Sequence, residues 1–176
     1  MWVLLLMALV SMASSDVSSK TNEECQLPYV MIGNDCLYFS ATGTDDGQLM
    51  TWLQAREACK LLGSDLADDF NMERLMQDHY YTYEHLLGRS RKHWVGASDQ
   101  TIPGLHSWLD SNRIVDGPWW YDEPWFEPHT PEDTAQCVWL RKENPDRYNI
   151  DEHIPRGFGD DDCETENYFI CQKKMY

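Results

Sequence analysis

The spacing of apolar positions predicts two helices in the first half of the chain. The first is expected between Thr51, a candidate N-cap, and Gly63, which stands where a helix C-cap belongs. Cys59 lies on this helix and is expected to face the core. A second helix is predicted near 71–87 and is ended by Gly88. The apolar residues that recur at helical spacing in the first helix are Met50, Leu53, Ala55, Ala58 and Leu61 or Leu62.

The remaining apolar runs are short and predict strands. Near the start of the chain, strand-like residues flank Gly33-Asn34, which predicts a short hairpin stapled between Cys25 and Cys36. An apolar strand at 93–99 is interrupted by Gly96. Two early helices followed by short strands and long loops predict an α+β domain. Further strands are predicted at 105–109, 136–140 and 167–172.

A long loop is predicted between Trp119 and Cys137, in the stretch WWYDEPWFEPHTPEDTAQC. It holds three prolines, and each proline fixes φ and removes a backbone donor, which disfavours a helix interior or a central strand. Its carboxylates are suitable oxygen ligands for a hard cation such as calcium. Its tryptophans could offer a flat apolar face to a sugar ring. The alternative is a surface loop that is pinned by its own aromatic side chains.

The first residues of the chain predict export. Residues 1–15 carry no charged side chain, and a continuous apolar run is followed by small residues, which is typical of a secretory signal peptide. That run is too short to span a bilayer, and no later segment is apolar enough. We therefore expect a soluble, secreted protein with a flexible segment at 16–24 and one domain at 25–174.

Cysteine count and net charge narrow the class of protein. All six cysteines follow the predicted signal peptide, and an even number in a secreted chain predicts three disulfides. The net charge of −16 argues against binding to nucleic acid or to an anionic membrane, because both need clustered Lys and Arg. No catalytic sequence motif is present, and with all cysteines paired no thiol nucleophile remains. The chain is therefore expected to be a binding protein rather than an enzyme.

Several segments, in order, resemble the C-type lectin-like domain family. They are CLYF (36–39), WLQAREACKLLGSDLA (52–67), HWVGASD (93–99), LHSWLDS (105–111), CVWL (137–140) and YFICQKK (168–174). The resemblance covers roughly 25–174. It implies two helices, two small antiparallel sheets and a long loop region. The disulfides that the family implies are Cys59–Cys171, Cys137–Cys163 and, as in the long form of the domain, Cys25–Cys36.

The resemblance also implies a place for calcium and sugar. Sugar-binding members hold calcium with a Glu-Pro-Asn or Gln-Pro-Asp tripeptide, a Glu before the third marker cysteine and an Asn-Asp pair before the fourth. Two tripeptides compete for the first position here. Counting from Trp108 selects Glu123-Pro124-Trp125, whereas counting back from Cys137 selects Glu127-Pro128-His129. Neither ends in Asn or Asp, and His129 offers nitrogen, which is a poor ligand for a hard cation.

The other expected ligands depart from the family as well. Ala135 stands where the family has Glu, and Phe158-Gly159-Asp160 stands where it has Trp-Asn-Asp. The expected metal ligands therefore reduce to Glu123 or Glu127 with Asp160, and calcium is left open as a cofactor because two side-chain ligands are few. The candidate ligand-binding residues are Glu123, Trp125, Glu127, His129 and Asp160.

Two functions follow from this interpretation. The first is a secreted carbohydrate-binding lectin of innate defence, with a degenerate calcium site. The second is a lectin-fold module that has lost sugar recognition and binds a protein partner through the same long loop. The family resemblance favours the first, and the reduced ligand set favours the second.

Overall fold

A computed structural model describes the chain over residues 25–32, 35–41, 47–68, 91–115, 136–141 and 157–174. These residues form an α+β domain of one helix and a mixed sheet. The predicted second helix at 71–87 and the predicted turn at Gly33-Asn34 lie outside the described residues. The elements are β1 (Val30–Ile32), β2 (Asp35–Phe39), α1 (Trp52–Leu61), β3 (Asp65–Leu66), β4 (Lys92–Ser98), β5 (Ser107–Trp108), β6 (Gln136–Arg141), β7 (Phe158–Asp162) and β8 (Tyr168–Lys173).

Helix α1 begins and ends where its sequence predicts. The hydroxyl of Thr51 accepts from the backbone N–H of Gln54, and the Gln54 side chain accepts from the N–H of Thr51, which completes a capping box. At the other end Gly63 has a φ of 74°, a conformation that glycine adopts without strain. The N–H groups of Gly63 and Ser64 then bond to carbonyls of the last turn, as in a Schellman motif.

The buried face of α1 includes Cys59, as predicted, but excludes two leucines that recur at helical spacing. Trp52, Ala55 and Cys59 are buried, whereas Leu53 is 59% exposed and Leu61 is 89% exposed. Cys59 therefore faces the core as predicted, whereas Leu53 and Leu61, which share the helical spacing, lie on the outer face. The physical reason is the covalent and hydrogen-bonded attachment of the helix. Cys59 is bonded to Cys171, and the indole N–H of Trp52 donates to the carbonyl of Val95 (2.8 Å), so residues 52, 55 and 59 face the sheet.

The strands are ordered β1-β2-β8-β4-β6-β7, with β3 beside β8 and β5 beside β4. All of these pairings are antiparallel except the one between β4 and β8, which is parallel and joins the two antiparallel groups into one sheet. The predicted α+β lectin-like fold is confirmed. The strands predicted at 136–140 and 167–172 are present to within one residue, and the strand predicted at 105–109 is reduced to Ser107–Trp108.

Strand β4 is irregular at Gly96, as its sequence predicts. The register between β4 and β6 shifts between Trp94 and Ser98. Within this shift the N–H of Gly96 donates to the carbonyl of Ala67 (2.7 Å), and its own carbonyl accepts from the N–H of Leu109 (2.8 Å). A β-carbon at Gly96 would lie 3.0 Å from the Leu66 carbonyl oxygen, so glycine permits this close backbone approach.

Two apolar clusters fill the two sides of the sheet. The cluster next to α1 contains the disulfides Cys59–Cys171 and Cys137–Cys163 together with Trp52, Trp94 and Phe169. The third disulfide, Cys25–Cys36, staples the β1–β2 hairpin. The cluster on the other side is the following: Ile32, Leu37, Phe39, Ala67, Val95, Ala97, Trp108, Val115, Val138, Leu140, Phe158 and Ile170.

Replacing Leu53 of α1, with the buried Leu66 of β3 as a reference, tests whether Leu53 lies on the outer face of the helix. Leu66→Ala removes a side chain that is 1% exposed, and we expect it to lower the free energy of unfolding by about 2–5 kcal/mol. Leu53→Ala, the matched control on the outer face of α1, is expected to change it by about 0.5 kcal/mol or less. Urea unfolding of both variants measures the difference. A loss for Leu53→Ala of about 2 kcal/mol or more would contradict the orientation of the helix.

His93, on β4, makes stability depend on pH. Desolvation by burial lowers its pKa from 6.5 to about 4, with a smaller lowering from Arg91, and backbone contacts to Ala41 and Arg91 oppose the shift. The unfolded chain therefore protonates first as the pH falls. This contribution to stability is complete above pH 6.5 and is lost as the pH falls towards 4, by about 3 kcal/mol in all.

Urea unfolding between neutral pH and pH 4 measures this loss. His93→Gln keeps a polar side chain that does not titrate, so the variant should lose about 3 kcal/mol less than the wild type over the same interval. Parallel pH curves for the two proteins would show that His93 is not the responsible group.

Candidate ligand-binding site

The described residues form the frame from which the predicted binding loop emerges. Residues 116–135 contain Glu123, Trp125, Glu127 and His129, and all four lie outside the described residues. Asp160 is described and lies in the middle of β7, opposite Val138 of β6. The structure therefore defines the base of the predicted site and one of its five candidate residues.

Backbone and side-chain bonds hold both ends of this loop. At the first end of the loop, the N–H of Val115 donates to the carbonyl of His106 (3.0 Å). On the side of Gln136, its N–H donates to the buried carboxylate of Asp99 (2.7 Å), which also accepts from the N–H of Gly104 (2.9 Å). Cys137 is then tied to Cys163. The chain thus leaves and re-enters the sheet at positions that are set by the frame.

The carboxylate of Asp160 is turned inwards. Its Oδ2 lies 3.1 Å from Nε2 of His106, and the two side chains are 3% and 11% exposed. The contact is an ion pair when the imidazole is protonated. Successive side chains of a strand point to opposite faces, so Asp160 shares the face of Phe158, whose ring packs against Trp108. Asp160 therefore points into the domain, towards the segment that precedes the loop.

His106 was not predicted as part of the site. In the sequence it is an isolated histidine between Leu105 and Ser107, and no spacing links it to an acidic residue 54 positions later. The pairing arises because the segment before β5 lies beside β7 in three dimensions. No sequence pattern carried that signal, since it depends on how distant strands are packed.

Gly159 offers no side chain, and the space beside it is filled. The indole of Trp139 stands against it, because the two residues are direct partners in the β6–β7 pairing. A β-carbon added to Gly159 would lie 2.2 Å from Cζ2 of Trp139. Two cations contact the same indole: Nζ of Lys92 lies 4.6 Å from its centre and Cζ of Arg141 lies 5.4 Å from it.

These residues do not fit the family's calcium site. The position of the family's Asn carries Gly159, and the position of its Asp carries a carboxylate that is buried against His106. Calcium takes 6–8 oxygen ligands, so a site needs several exposed oxygens that converge. Across the described residues, no three His, Cys, Asp or Glu side chains are grouped as a metal site would require.

Comparison with known proteins identifies the family. Residues 48–173, most of the chain, match the family described as Lectin C-type domain, so the chain belongs to this family. The predicted membership is confirmed. Three disulfides are typical of domains that fold in oxidising compartments, and with the family they fit an extracellular protein. In the part of the chain that the structure describes, no helix is both long and apolar enough to cross a membrane.

Solved structures share the fold at low sequence identity. The cow C-type carbohydrate-recognition domain of CD23, solved in the presence of an oligosaccharide, is 23% identical with a TM-score of 0.58, over 86% of this chain and 97% of that chain. The mouse scavenger receptor C-type lectin domain is 21% identical with a TM-score of 0.58, over 86% and 98%. A calcium-independent type II antifreeze protein is 23% identical with a TM-score of 0.53, over 85% and 93%. No curated protein sequence matches the chain significantly.

Two neighbouring acidic residues on β7 test whether the inward position of Asp160 stabilises the fold. Asp160 is buried, and Asp161 is partly exposed. Asp160→Ala removes the buried carboxylate that contacts the partly buried His106, and we expect it to lower the free energy of unfolding by about 1–3 kcal/mol. Asp161→Ala removes a half-exposed partner of Lys92 and should cost about 1 kcal/mol or less. Urea unfolding near neutral pH compares the two. If Asp160→Ala is as mild as Asp161→Ala, the inward position of Asp160 is not a structural requirement.

Proposed function

We propose that this protein is a secreted carbohydrate-binding lectin that binds its sugar without the family's calcium site. The observation that carries the proposal is the contact between Asp160 and His106. It turns the carboxylate at the position of the family's Asp ligand into the domain, while the described residues that hold both ends of the loop keep their bonds. The family is generally not enzymatic, which supports a role in binding rather than in catalysis.

The sugar contact is proposed to lie in the loop at 116–135. Trp125 lies between the two Glu-Pro pairs and would stack on the apolar face of a sugar ring. Glu123, Glu127 and His129 would bond to the hydroxyl groups around it, as carboxylates accept hydrogen bonds and an imidazole can donate one. The proposal gives each residue a direct contact with sugar, and none of them acts through a metal.

Similar structures support the carbohydrate part of the proposal. The cow CD23 domain was solved with an oligosaccharide, and the mouse scavenger receptor domain is described as a carbohydrate-recognition domain. One similar structure is described as calcium-independent, so independence of calcium has a precedent in this fold. The predicted signal peptide at 1–15 and the three disulfides support secretion. A role in innate defence, through recognition of glycans, is part of the same proposal.

A protein partner is the second candidate. The observation that favours it is a set of exposed apolar side chains close to the start of the loop: Ile102, Leu105 and Ile114. Ile114 forms a β-bridge with Ser107, next to the histidine that holds Asp160. Exposed apolar side chains beside a binding loop suit a protein surface better than a polar sugar. In this alternative the same loop contacts the partner, and sugar binding has been lost.

A glycan array, probed with the mature protein in calcium and in chelator, tests the first candidate. We expect the same glycans to bind in both conditions. Trp125→Ala should weaken that binding by about fivefold or more, because loss of one aromatic stacking contact with a flat ligand costs about 1–3 kcal/mol. Leu61→Ala, an exposed apolar residue at the end of α1, is the control and should bind as the wild type does.

Two results would overturn the proposal in different ways. Binding that disappears in chelator would show that calcium is needed and that the metal part is wrong. The absence of glycan binding in both conditions would reject the proposal that the protein binds carbohydrate and would favour a protein partner. In that case replacement of Ile102 and Ile114 by Ser would be the next variant for interaction studies.

A further inference from the structure

Trp139 explains why residue 159 is a glycine. Its ring atoms Cζ2, Cη2 and Cε2 lie 2.2, 2.5 and 2.8 Å from the position of a β-carbon at Gly159. Contacts this short do not occur between real side chains. Among the glycines described, those with positive φ are Gly63 and Gly104, so the backbone at Gly159 has no need of a glycine. The space taken by the indole is therefore what excludes a side chain there.

The indole is not free to move aside. Trp139 is buried, and it belongs to the cluster that contains Trp94 and the Cys137–Cys163 disulfide. Trp94 is also its direct partner across the β4–β6 pairing. A rotation of the ring would give up this packing and leave a cavity, which a close-packed interior does not tolerate cheaply. The indole and the bare backbone of Gly159 thus form one complementary contact.

The positive charges beside the contact between Trp139 and Gly159 also disfavour a bound cation. Nζ of Lys92 lies 2.7 Å from Oδ2 of Asp161, so the carboxylate that follows Asp160 already has a cation as its partner. Lys92 and Arg141 are direct partners across β4 and β6, and both contact the Trp139 indole. A divalent cation brought to the face of Gly159 and Asp161 would meet these two positive charges, and like charges repel.

We infer that Trp139 is one of the residues that make this domain incompatible with calcium, because it excludes a side-chain ligand at residue 159. Its indole fills the position of the amide ligand, and Lys92 supplies beside it the positive charge that a metal would otherwise bring. The inference gives a structural reason for one part of the proposed function, its independence from calcium, and rests on the proposed function for that part alone. It concerns the folded protein alone, so it stands or falls separately from sugar binding.

A double-mutant cycle tests the contact. Gly159→Ala should lower the midpoint of thermal unfolding by several degrees in the wild type, and by less than half as much in Trp139→Leu, where the ring is gone. Gly63→Ala is the control. Nothing lies within 4 Å of its added carbon, and its cost comes from a φ of 74°, so its effect should be the same with either residue at position 139.

The same proteins in millimolar calcium and in chelator give the second measurement. A ligand that binds only the folded state raises the midpoint, so the wild type should show no difference between the two conditions. A calcium-dependent rise in the wild type would overturn the inference, and so would equal effects of Gly159→Ala in the two backgrounds. If Gly159→Ala yields no folded protein, recovery of folded protein in the double variant supports the inference, and failure of the double variant as well counts against it.

Discussion

The disulfide between Cys59 and Cys171 is the constraint on which the rest of the described structure depends. It joins α1 to β8 across 112 residues of sequence, and a bridge of that span stabilises the fold by about 4–5 kcal/mol in the chain-entropy model. Strand β8 in turn pairs with β2, β3 and β4. Because one strand carries these pairings, fixing it against the helix fixes the sheet, and with it the frame of the loop.

This frame separates two properties of the candidate site that are usually considered together. The presentation of the loop depends on Asp99, on Cys137–Cys163 and on the β6–β7 pairing, and all of these are in place. Binding of a metal at the family's position depends on the side chains at residues 159 and 160, and here both positions contribute to packing or to an internal contact instead. Residue 159 is a glycine that is covered by the Trp139 indole, and Asp160 is paired with His106 inside the domain. The described part of the domain thus keeps the residues that hold the loop at both ends, while residues 159 and 160 do not offer the family's metal ligands.

Three buried polar side chains, Asp99, Asp160 and His93, show how the desolvation penalty is reduced in this domain. The buried carboxylate of Asp99 accepts from two backbone N–H groups, and the buried Asp160 lies against His106. His93 is buried as a neutral ring between backbone carbonyls and aromatic neighbours, which is why its pKa is lowered. Each case follows the same rule: a polar side chain enters the core when a nearby group, or loss of its charge, removes most of the desolvation penalty.

The sequence by itself determined the family, the α+β class, the caps of α1 and the irregularity at Gly96, because these depend on local chemistry and on short motifs in a fixed order. It also located the departures from the calcium ligand set. It did not show that Leu53 and Leu61 are exposed, since helical spacing alone does not say which side of a helix meets the sheet. It missed His106 and gave no reason for Gly159. Only the tertiary structure decided these, because each depends on contacts between residues that are far apart in the chain and meet only when the strands are packed.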